Sequence, residues 1–202
     1  MRYYVSKLIK LMRLSAVKGS AIHPSAKVCS ASHVLNSSID RYSYVGNDCT
    51  IIEAEIGSFC SIADNVIIGG ASHPVSWVST SPVFIKGRNV LNFNFSSFEY
   101  QATEKTYIGS DVWIGNNALI KSGIHIGHGA VIGMGAVVTK SVPPYEIWAG
   151  NPAQRIKMRF DVETVDKLLS VAWWDLADSE IKQLSKEFNN VLQFVSEFKG
   201  AS

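Results

Sequence analysis

The sequence predicts a mostly β fold in which short strands coil around a prism as a solenoid. Three observations predict it: an aliphatic residue recurs at every sixth position, a glycine often follows it, and the residue four places on is small or β-branched. Neither a helical period nor a strand period explains this spacing. A fixed period of this kind is typical of stacked, repetitive architectures.

The repeat runs in two blocks that an interruption separates. Its aliphatic positions are Ile22, Val28, Val34, Ile39, Val45, Ile51, Ile56, Ile62 and Ile68, and then Ile108, Ile114, Ile120, Ile126, Ile132 and Val138. Three inward positions make one coil of about 18 residues, so these fifteen positions predict about five coils. With about 4.8 Å between stacked strands, the solenoid is expected to be about 24 Å long.

The segments outside the repeat define the rest of the organisation. Residues 71–107 form an excursion that contains NFNFSSFEY, and so long a loop in a strict solenoid is typically functional. The prolines after Val138 mark the exit from the last coil. We therefore expect an amphipathic segment over 1–20, a solenoid domain over 21–153 and a helical extension over 154–202.

The helical extension is expected to contain two helices. Asp161 is placed to cap the first helix, whose inner face is expected to be Val165, Leu168, Leu169 and Ala172. A second helix is expected to open at Asp178 or Ser179, with one apolar stripe made of Ile181, Leu184, Phe188, Val191, Leu192, Val195 and Phe198. We interpret this stripe as a surface that packs on the solenoid or on a neighbouring subunit.

The N-terminal segment carries five basic residues and no acidic one. The helical spacing of Tyr4, Leu8, Leu11 and Met12 predicts a helix that caps the first coil. The alternative is peripheral contact of residues 1–20 with an anionic membrane. The basic residues interrupt the apolar core that a signal peptide needs, so a cytoplasmic protein is expected.

Composition excludes several classes of protein. Charged residues make up 18% of the chain and apolar residues 47%, which excludes a disordered, highly charged chain. The net charge is +2 and the solenoid has no excess of basic residues, so no nucleic-acid partner is expected. The three cysteines, Cys29, Cys49 and Cys60, lack metal-ligand spacing. They predict buried free thiols, with no disulfide and no metal.

Among the five histidines, His73 has the most informative position. It stands at the start of the excursion, in GGASHPVSWVSTSPVF. Imidazole is well suited to remove a hydroxyl proton near neutral pH, so His73 is the candidate general base. His23 and His33 are expected on the surface, whereas His125 and His128 are expected to face outward or to line a cleft.

Two long segments resemble the xenobiotic and polysaccharide O-acetyltransferase branch of the hexapeptide-repeat acyltransferases. They are IGSFCSIADNVIIGGASHPVSWVSTSPVF and YIGSDVWIGNNALIKSGIHIGHGAVIGMGAVVTKSVPPYEIWAGNPAQRIKMRF, and LLSVAWWDL adds a third similarity. The resemblance covers about residues 39 to 175. It implies a left-handed parallel β-helix, acetyl-CoA as co-substrate and a homotrimer. The left hand comes from the family alone, because general crossover rules favour the right hand.

The resemblance also implies roles for particular residues. His73 aligns with the general base of the family, and Trp113 with a tryptophan that lines the active-site tunnel. Asn116 matches a position near the acyl group, where an amide can stabilise an oxyanion; a role in a coil bend is the alternative. The residues matched to the face and basic tail that bind CoA are Gly133, Thr139, Lys140, Arg155 and Lys157.

The cations of this CoA-binding set suit nucleotide phosphates. For Arg155 and Lys157 a solvated surface position is the alternative. Gln154 departs from the family pattern, since some relatives have arginine there, and the phosphate contacts are therefore left open.

On the acceptor side we assign Trp77 and Phe84 from the excursion, together with Tyr42. The antibiotic-modifying members carry an insertion soon after a segment like Arg41–Tyr44, and this chain lacks it. The sequence therefore favours O-acetylation of a sugar in surface polysaccharide, with a xenobiotic (antibiotic) O-acetyltransferase as the alternative. A non-catalytic scaffold is a third reading, which the joint presence of His73 and Trp113 with Lys140 disfavours.

Overall fold

The computed structural model describes residues 4–6, 9 and 12–197. In this part of the chain the first ten strands are β1 (Ala16–Lys18), β2 (Ala21–Ile22), β3 (Lys27–Val28), β4 (His33–Leu35), β5 (Ser38–Ile39), β6 (Tyr44–Val45), β7 (Thr50–Ile52), β8 (Ala54–Ile56), β9 (Ser61–Ile62) and β10 (Ile67–Ile68). After the excursion come β11 (Thr106–Ile108), β12 (Trp113–Ile114), β13 (Leu119–Ile120), β14 (His125–Ile126), β15 (Val131–Ile132), β16 (Val137–Val138), β17 (Glu146–Gly150) and β18 (Ala153–Met158). The helices are α1 (Val162–Val171), α2 (Asp178–Leu184) and α3 (Val191–Glu197), with 3-10 turns at Pro82–Phe84 and Trp173–Asp175.

The strands form three sheets that are the faces of a prism, and their strand pairs are parallel except for β17 with β18. Within the described residues, sheet A has the order β1-β4-β7-β10-β13-β16, sheet B the order β14-β11-β8-β5-β2, and sheet C the order β18-β17-β15-β12-β9-β6-β3. Up to β16 the chain visits sheets A, B and C in turn, so each strand pairs with the strand one coil away. The predicted solenoid is thereby confirmed, whereas its left hand and its number of coils stay predictions.

The inward aliphatic positions form the core. From Val34 to Val138, each aliphatic residue of the repeat is at most 3% exposed. The small residues four places on fill the space beside them, and Ala118 and Ala130 are fully buried. Burying each large aliphatic side chain stabilises the fold by about 1.5–3 kcal/mol. Ile22, near the open end, is only partly buried.

The cysteine thiols belong to this core. Cys49 and Cys60 are buried, and their Sγ atoms lie 3.1 Å from the Ala63 carbonyl oxygen and 3.0 Å from that of Gly109. Burial raises the pKa of Cys60 to about 12. Cys29 is half-buried, and the thiols are free. Among the described residues there is no group of three or more His, Cys, Asp and Glu that could hold a metal ion.

Most corners of the prism are tight turns with one residue in the left-handed conformation. At the corner between sheets B and C (the BC corner), Tyr42 and Phe59 have φ values of 57° and 61°. Bulky side chains in this conformation cost about 1–3 kcal/mol each. Aromatic packing offsets this cost, because the Phe59 ring lies 5.1 Å from that of Tyr42 and 4.9 Å from that of Trp173.

The first predicted helix of the extension is confirmed. Asp161 caps α1, and its Oδ1 accepts the Thr164 N–H at 2.8 Å. Val165 and Leu168 are each 5% exposed. The inner face of α1 therefore packs as the apolar periodicity indicates.

The prediction of a single second helix is wrong, because the chain forms two helices, α2 and α3, in this segment. The first of them ends at Leu184. Asn190 starts the next helix, because its Oδ1 accepts the Gln193 N–H at 3.2 Å. The stripe accordingly divides: Phe194 and Val195 are buried, but Leu192 is 66% exposed.

The N-terminal helix prediction lies partly outside the described residues, which exclude Leu8 and Leu11. Tyr4 and Met12 are 74% and 72% exposed. β1 pairs with β4, so the ladder of sheet A already begins at Ala16. Among the described residues no helix has the length and apolar character that a membrane span requires.

Two adjacent residues of β10 test the inward register. Ile68 is fully buried and Ile67 is 44% exposed. Ile68→Ala should lower the free energy of unfolding by about 2–5 kcal/mol, because it leaves a cavity in the core. Ile67→Ala, the matched control, should lower it by less than about 1 kcal/mol. Urea denaturation followed by circular dichroism measures both, and equal losses would contradict the register.

Candidate active site

The excursion projects from the corner between sheets A and B (the AB corner). It leaves sheet A after β10 and re-enters sheet B at β11. Its base is closed by Ser72, whose N–H donates to the Ala102 carbonyl at 2.6 Å and whose Oγ lies 2.9 Å from the Tyr100 hydroxyl. A bridge between Ile85 and Phe98 continues this closure. The excursion is thus an ordered unit that can hold side chains in place.

His73 lies at the start of the excursion, and one of its ring nitrogens makes a hydrogen bond. Its Nδ1 lies 2.7 Å from the Thr80 carbonyl oxygen. A carbonyl can only accept, so Nδ1 carries the proton and Nε2 keeps its lone pair. This is the arrangement that a general base needs. The sequence did not indicate Thr80, because a backbone carbonyl partner has no side-chain signature.

Trp77 and Phe84 lie in the same excursion as His73. The Trp77 ring meets those of Phe98 and Tyr100 edge to face at 5.8 and 5.7 Å. The Phe84 ring stacks on that of Phe95 at 5.8 Å. The two predicted acceptor residues are therefore parts of aromatic pairs within the excursion that also carries the candidate base.

Trp113 lies on a different face. It is the first residue of β12 in sheet C and is 54% exposed. In register with it across sheet C are Val131, Ile147 and then Lys157. Three strand spacings separate Trp113 from Lys157, which amounts to about 14 Å. Sheet C is opposite the AB corner in a prism of three faces, so a single chain does not bring Trp113 together with His73.

Two corners carry Asn116, which is predicted near the acyl group, and Gly133, Thr139 and Lys140 of the predicted CoA face. Asn116 and Gly133 follow strands of sheet C, at the corner between sheets C and A. A Cβ at Gly133 would lie 2.9 Å from the Ala149 Cβ, so the position excludes a side chain. Thr139 and Lys140 are exposed and follow β16, at the AB corner. They lie on the same corner of the prism as His73, two coils further along the solenoid.

Arg155 is paired within the chain. Its Nε donates to Glu146 Oε1 at 2.6 Å, and Glu146 Oε2 accepts the Trp148 indole N–H at 2.7 Å. The Arg155 side chain is 51% exposed, so part of its guanidinium faces solvent. The pairing follows from the antiparallel contact of β17 with β18, which the sequence did not predict.

Tyr42 is not near the excursion. It lies at the BC corner, where its hydroxyl donates to the Asp178 carboxylate at the start of α2. This bond raises the pKa of Tyr42 above its usual value. Arg41 donates to Asp178 at 3.0 Å and to the Trp174 carbonyl at 2.6 Å. The structure therefore separates Tyr42 from Trp77 and Phe84, and it joins Tyr42 to the helical extension.

A groove of about 970 Å³ runs along sheet B. Within the described residues, none of the predicted site residues lines it. His125 and His128 do line it, as the sequence indicated. The His125 ring stacks on that of Tyr107 at 4.6 Å, and the His128 ring on that of Trp174 at 4.4 Å.

His128 is the opposite tautomer to His73. Its Nδ1 accepts the Ser110 N–H at 2.9 Å, so its proton must be on Nε2. Burial lowers the pKa of His128 below its usual value. His128 is therefore a neutral, packed side chain that helps to hold the helical extension against the solenoid.

These contacts predict two tautomers in one protein. At a pH where both rings are neutral, His73 should be protonated at Nδ1 and His128 at Nε2. Long-range ¹H–¹⁵N correlation spectra distinguish the tautomers, with His73→Ala and His128→Asn assigning the signals. An Nε2-protonated His73 would contradict the bond to Thr80 and the lone pair assigned to the base.

Comparison with known proteins agrees with this geometry. Residues 105–140 match the model of the bacterial transferase hexapeptide (six repeats). A chloramphenicol acetyltransferase of Escherichia coli is 40% identical over 168 residues, which cover 73% of this chain and 80% of the relative. A probable macrolide acetyltransferase of Lysinibacillus sphaericus is 39% identical over 143 residues, which cover 70% of this chain and 77% of the relative.

Solved structures agree on the fold. The N-acyltransferase AntD from Bacillus cereus, in complex with dTDP and 3-hydroxybutyryl-CoA, superposes with a TM-score of 0.54. The match covers 85% of this chain and 96% of AntD at 19% identity, and at that identity it shows the fold alone. The identity to the acetyltransferases confirms the resemblance read from the sequence. The chain belongs to the hexapeptide-repeat acyltransferases, in the branch of the xenobiotic and polysaccharide O-acetyltransferases, and it is an acyltransferase.

Proposed function

We propose that the chain transfers the acetyl group of acetyl-CoA to a hydroxyl of a small antibiotic-type acceptor. The observation that carries the choice of a hydroxyl is the His73 ring, whose Nδ1 is tied to Thr80 while Nε2 is left to take a proton. The acceptor class rests on the relatives, which include a chloramphenicol and a macrolide acetyltransferase. They favour an antibiotic over the surface-polysaccharide sugar that the sequence led us to prefer.

The proton transfers are assigned to His73. Its Nε2 removes the proton of the acceptor hydroxyl as that oxygen attacks, and it returns the proton to the departing thiolate. The Thr80 carbonyl stabilises the imidazolium that forms between these steps, because it accepts the Nδ1–H. No serine or cysteine nucleophile is needed, and Cys60 is buried in the core with a raised pKa.

Acetyl-CoA, when bound, supplies an activated thioester. The exposed Trp113 ring offers an apolar surface for the acyl-bearing arm, and Gly133 lets Ala149 pack closely against its coil. The amide of Asn116 is placed to donate to the developing oxyanion. Lys157 and the exposed part of Arg155 provide positive charge for the phosphates on the sheet C side. Lys140, with the hydroxyl of Thr139 beside it, provides positive charge from the chain that contributes His73.

A closed homotrimer completes this site. Since His73 and Trp113 lie on opposite sides of one prism, the base of one chain must act against sheet C of another. Threefold symmetry would repeat that contact at each interface, and each site would then take residues from two chains. The aromatic excursion would in this arrangement form the acceptor wall with Trp77 and Phe84.

O-acetylation of a polysaccharide sugar is the second candidate. The half-buried Trp77 and the exposed Phe93 and Phe95 provide flat apolar faces on which sugar rings can stack. The chain also lacks an insertion after Tyr44. Both candidates use the same base and donor, and they differ only in the acceptor that fits against the excursion.

A thiol-release assay with acetyl-CoA tests both the acceptor and the base. We expect turnover with chloramphenicol or a macrolide and little with simple sugars. His73→Ala should lower kcat by about 10²–10⁴, the usual contribution of a general base. The KM for acetyl-CoA should stay nearly unchanged, because His73 is not assigned to bind it.

His33→Ala is the matched control, because His33 is an exposed histidine of the first coils. It should retain wild-type turnover. Full turnover of His73→Ala would contradict the base. Turnover with sugars alone would replace the antibiotic acceptor by the second candidate and leave the base assignment intact.

A further inference from the structure

A second cavity lies beneath the helical extension, at the BC corner and away from the excursion. Its volume is about 170 Å³. Asp111, Tyr145 and Arg159 supply its polar groups, and Leu168, Trp173 and Phe194 are among its apolar walls. We call it the extension cavity. None of the residues assigned to acetyl transfer lines it.

Tyr145 supplies an unused hydrogen-bond donor to this cavity. The residue is 1% exposed, and its hydroxyl proton has no acceptor among the described residues. The Tyr145 ring packs directly on Gly129, where a Cβ would lie 2.4 Å from the ring. A buried hydroxyl without an acceptor is unfavourable. An acceptor supplied from the cavity would therefore be bound at a defined point.

Asp111 supplies a hydrogen-bond acceptor to the same cavity. Its Oδ2 is 3.0 Å from Arg159 Nη1, which also donates to the Gly129 carbonyl at 2.7 Å. The side chains of Asp111 and Arg159 are only 30% and 28% exposed. Arg159 also lies over the Tyr145 ring at 5.3 Å. The pair is thus held rigidly and leaves Asp111 Oδ1 to accept a further hydrogen bond.

The remaining walls are aromatic and aliphatic. Trp173 meets Phe188 edge to face at 5.0 Å, and Phe188 meets Phe194 at 4.9 Å. Leu168 closes another side and is 5% exposed. An apolar cavity of about 150 Å³ is large enough to hold a benzene-sized ring. The extension cavity therefore has the size and the walls for one aromatic ring.

We propose that the extension cavity binds a hydroxylated aromatic molecule with a single ring, of the size of phenol. Its hydroxyl would accept the proton of Tyr145 and donate to Asp111, because a hydroxyl does both. Its ring would lie against Leu168, Trp173 and Phe194. Such a ligand would contact the solenoid and the helices of the extension at once and would stabilise their packing. This site is independent of the acetyl-transfer site.

Titration of the full chain with phenol and with toluene, followed by NMR or calorimetry, tests the proposal. Phenol should bind saturably with a Kd on the order of 1 mM. Toluene has the same size but no hydroxyl and should bind about tenfold more weakly. Tyr145→Phe should weaken phenol binding about tenfold and should leave toluene binding nearly unchanged.

Two further variants locate the binding. Val191→Phe fills the cavity and should abolish phenol binding, whereas Tyr107→Phe removes an exposed hydroxyl on sheet B and should not change it. Absence of saturable phenol binding to the wild type would overturn the proposal, as would equal phenol affinity in Tyr145→Phe. If Val191→Phe does not fold, the phenol and toluene affinities of Tyr145→Phe decide alone.

Discussion

The architecture depends on one constraint: most strands have only two or three residues, so their hydrogen bonds come from strands one coil away. Each strand must therefore lie in register with the strand one coil before it. The aliphatic residues maintain it by packing inward on each other. Buried serines reinforce it, because Ser32 Oγ donates to the Gly46 carbonyl at 2.7 Å and accepts the Cys49 N–H at 3.0 Å. Ser43 repeats this pattern two faces further along the chain.

The same constraint decides where functional elements can lie. An insertion that leaves the ladder intact must leave and re-enter at a corner, as the excursion does between β10 and β11. The BC corner is occupied differently, by the helical extension that Arg41 and Asp178 hold in place. Side chains for catalysis are therefore distributed over corners and faces that one chain keeps apart. This distribution is the physical reason for proposing a site shared between chains.

The periodic parts of the structure were readable from the sequence, since every inward position must be aliphatic. The excursion and α1 were readable too, because both follow from local breaks and caps. The Tyr42–Asp178 contact could not be predicted from the sequence, because it joins residues 136 positions apart. The Thr80 carbonyl and the Glu146–Arg155 pair depend likewise on how loops and hairpins fold. The sugar acceptor was predicted from the absence of an insertion after Tyr44. The similar chloramphenicol and macrolide acetyltransferases favour an antibiotic acceptor instead.

The central claim is that His73 and Trp113 of different chains form one site. It is tested most directly by co-expressing His73→Ala and Trp113→Ala chains with different tags and by isolating the mixed assemblies. Each variant alone should have little activity. If sites are shared between the chains of a trimer, each mixed assembly should have about a third of wild-type turnover, because one of its three interfaces pairs an intact His73 with an intact Trp113. Mixed assemblies no more active than the separate variants would contradict the account.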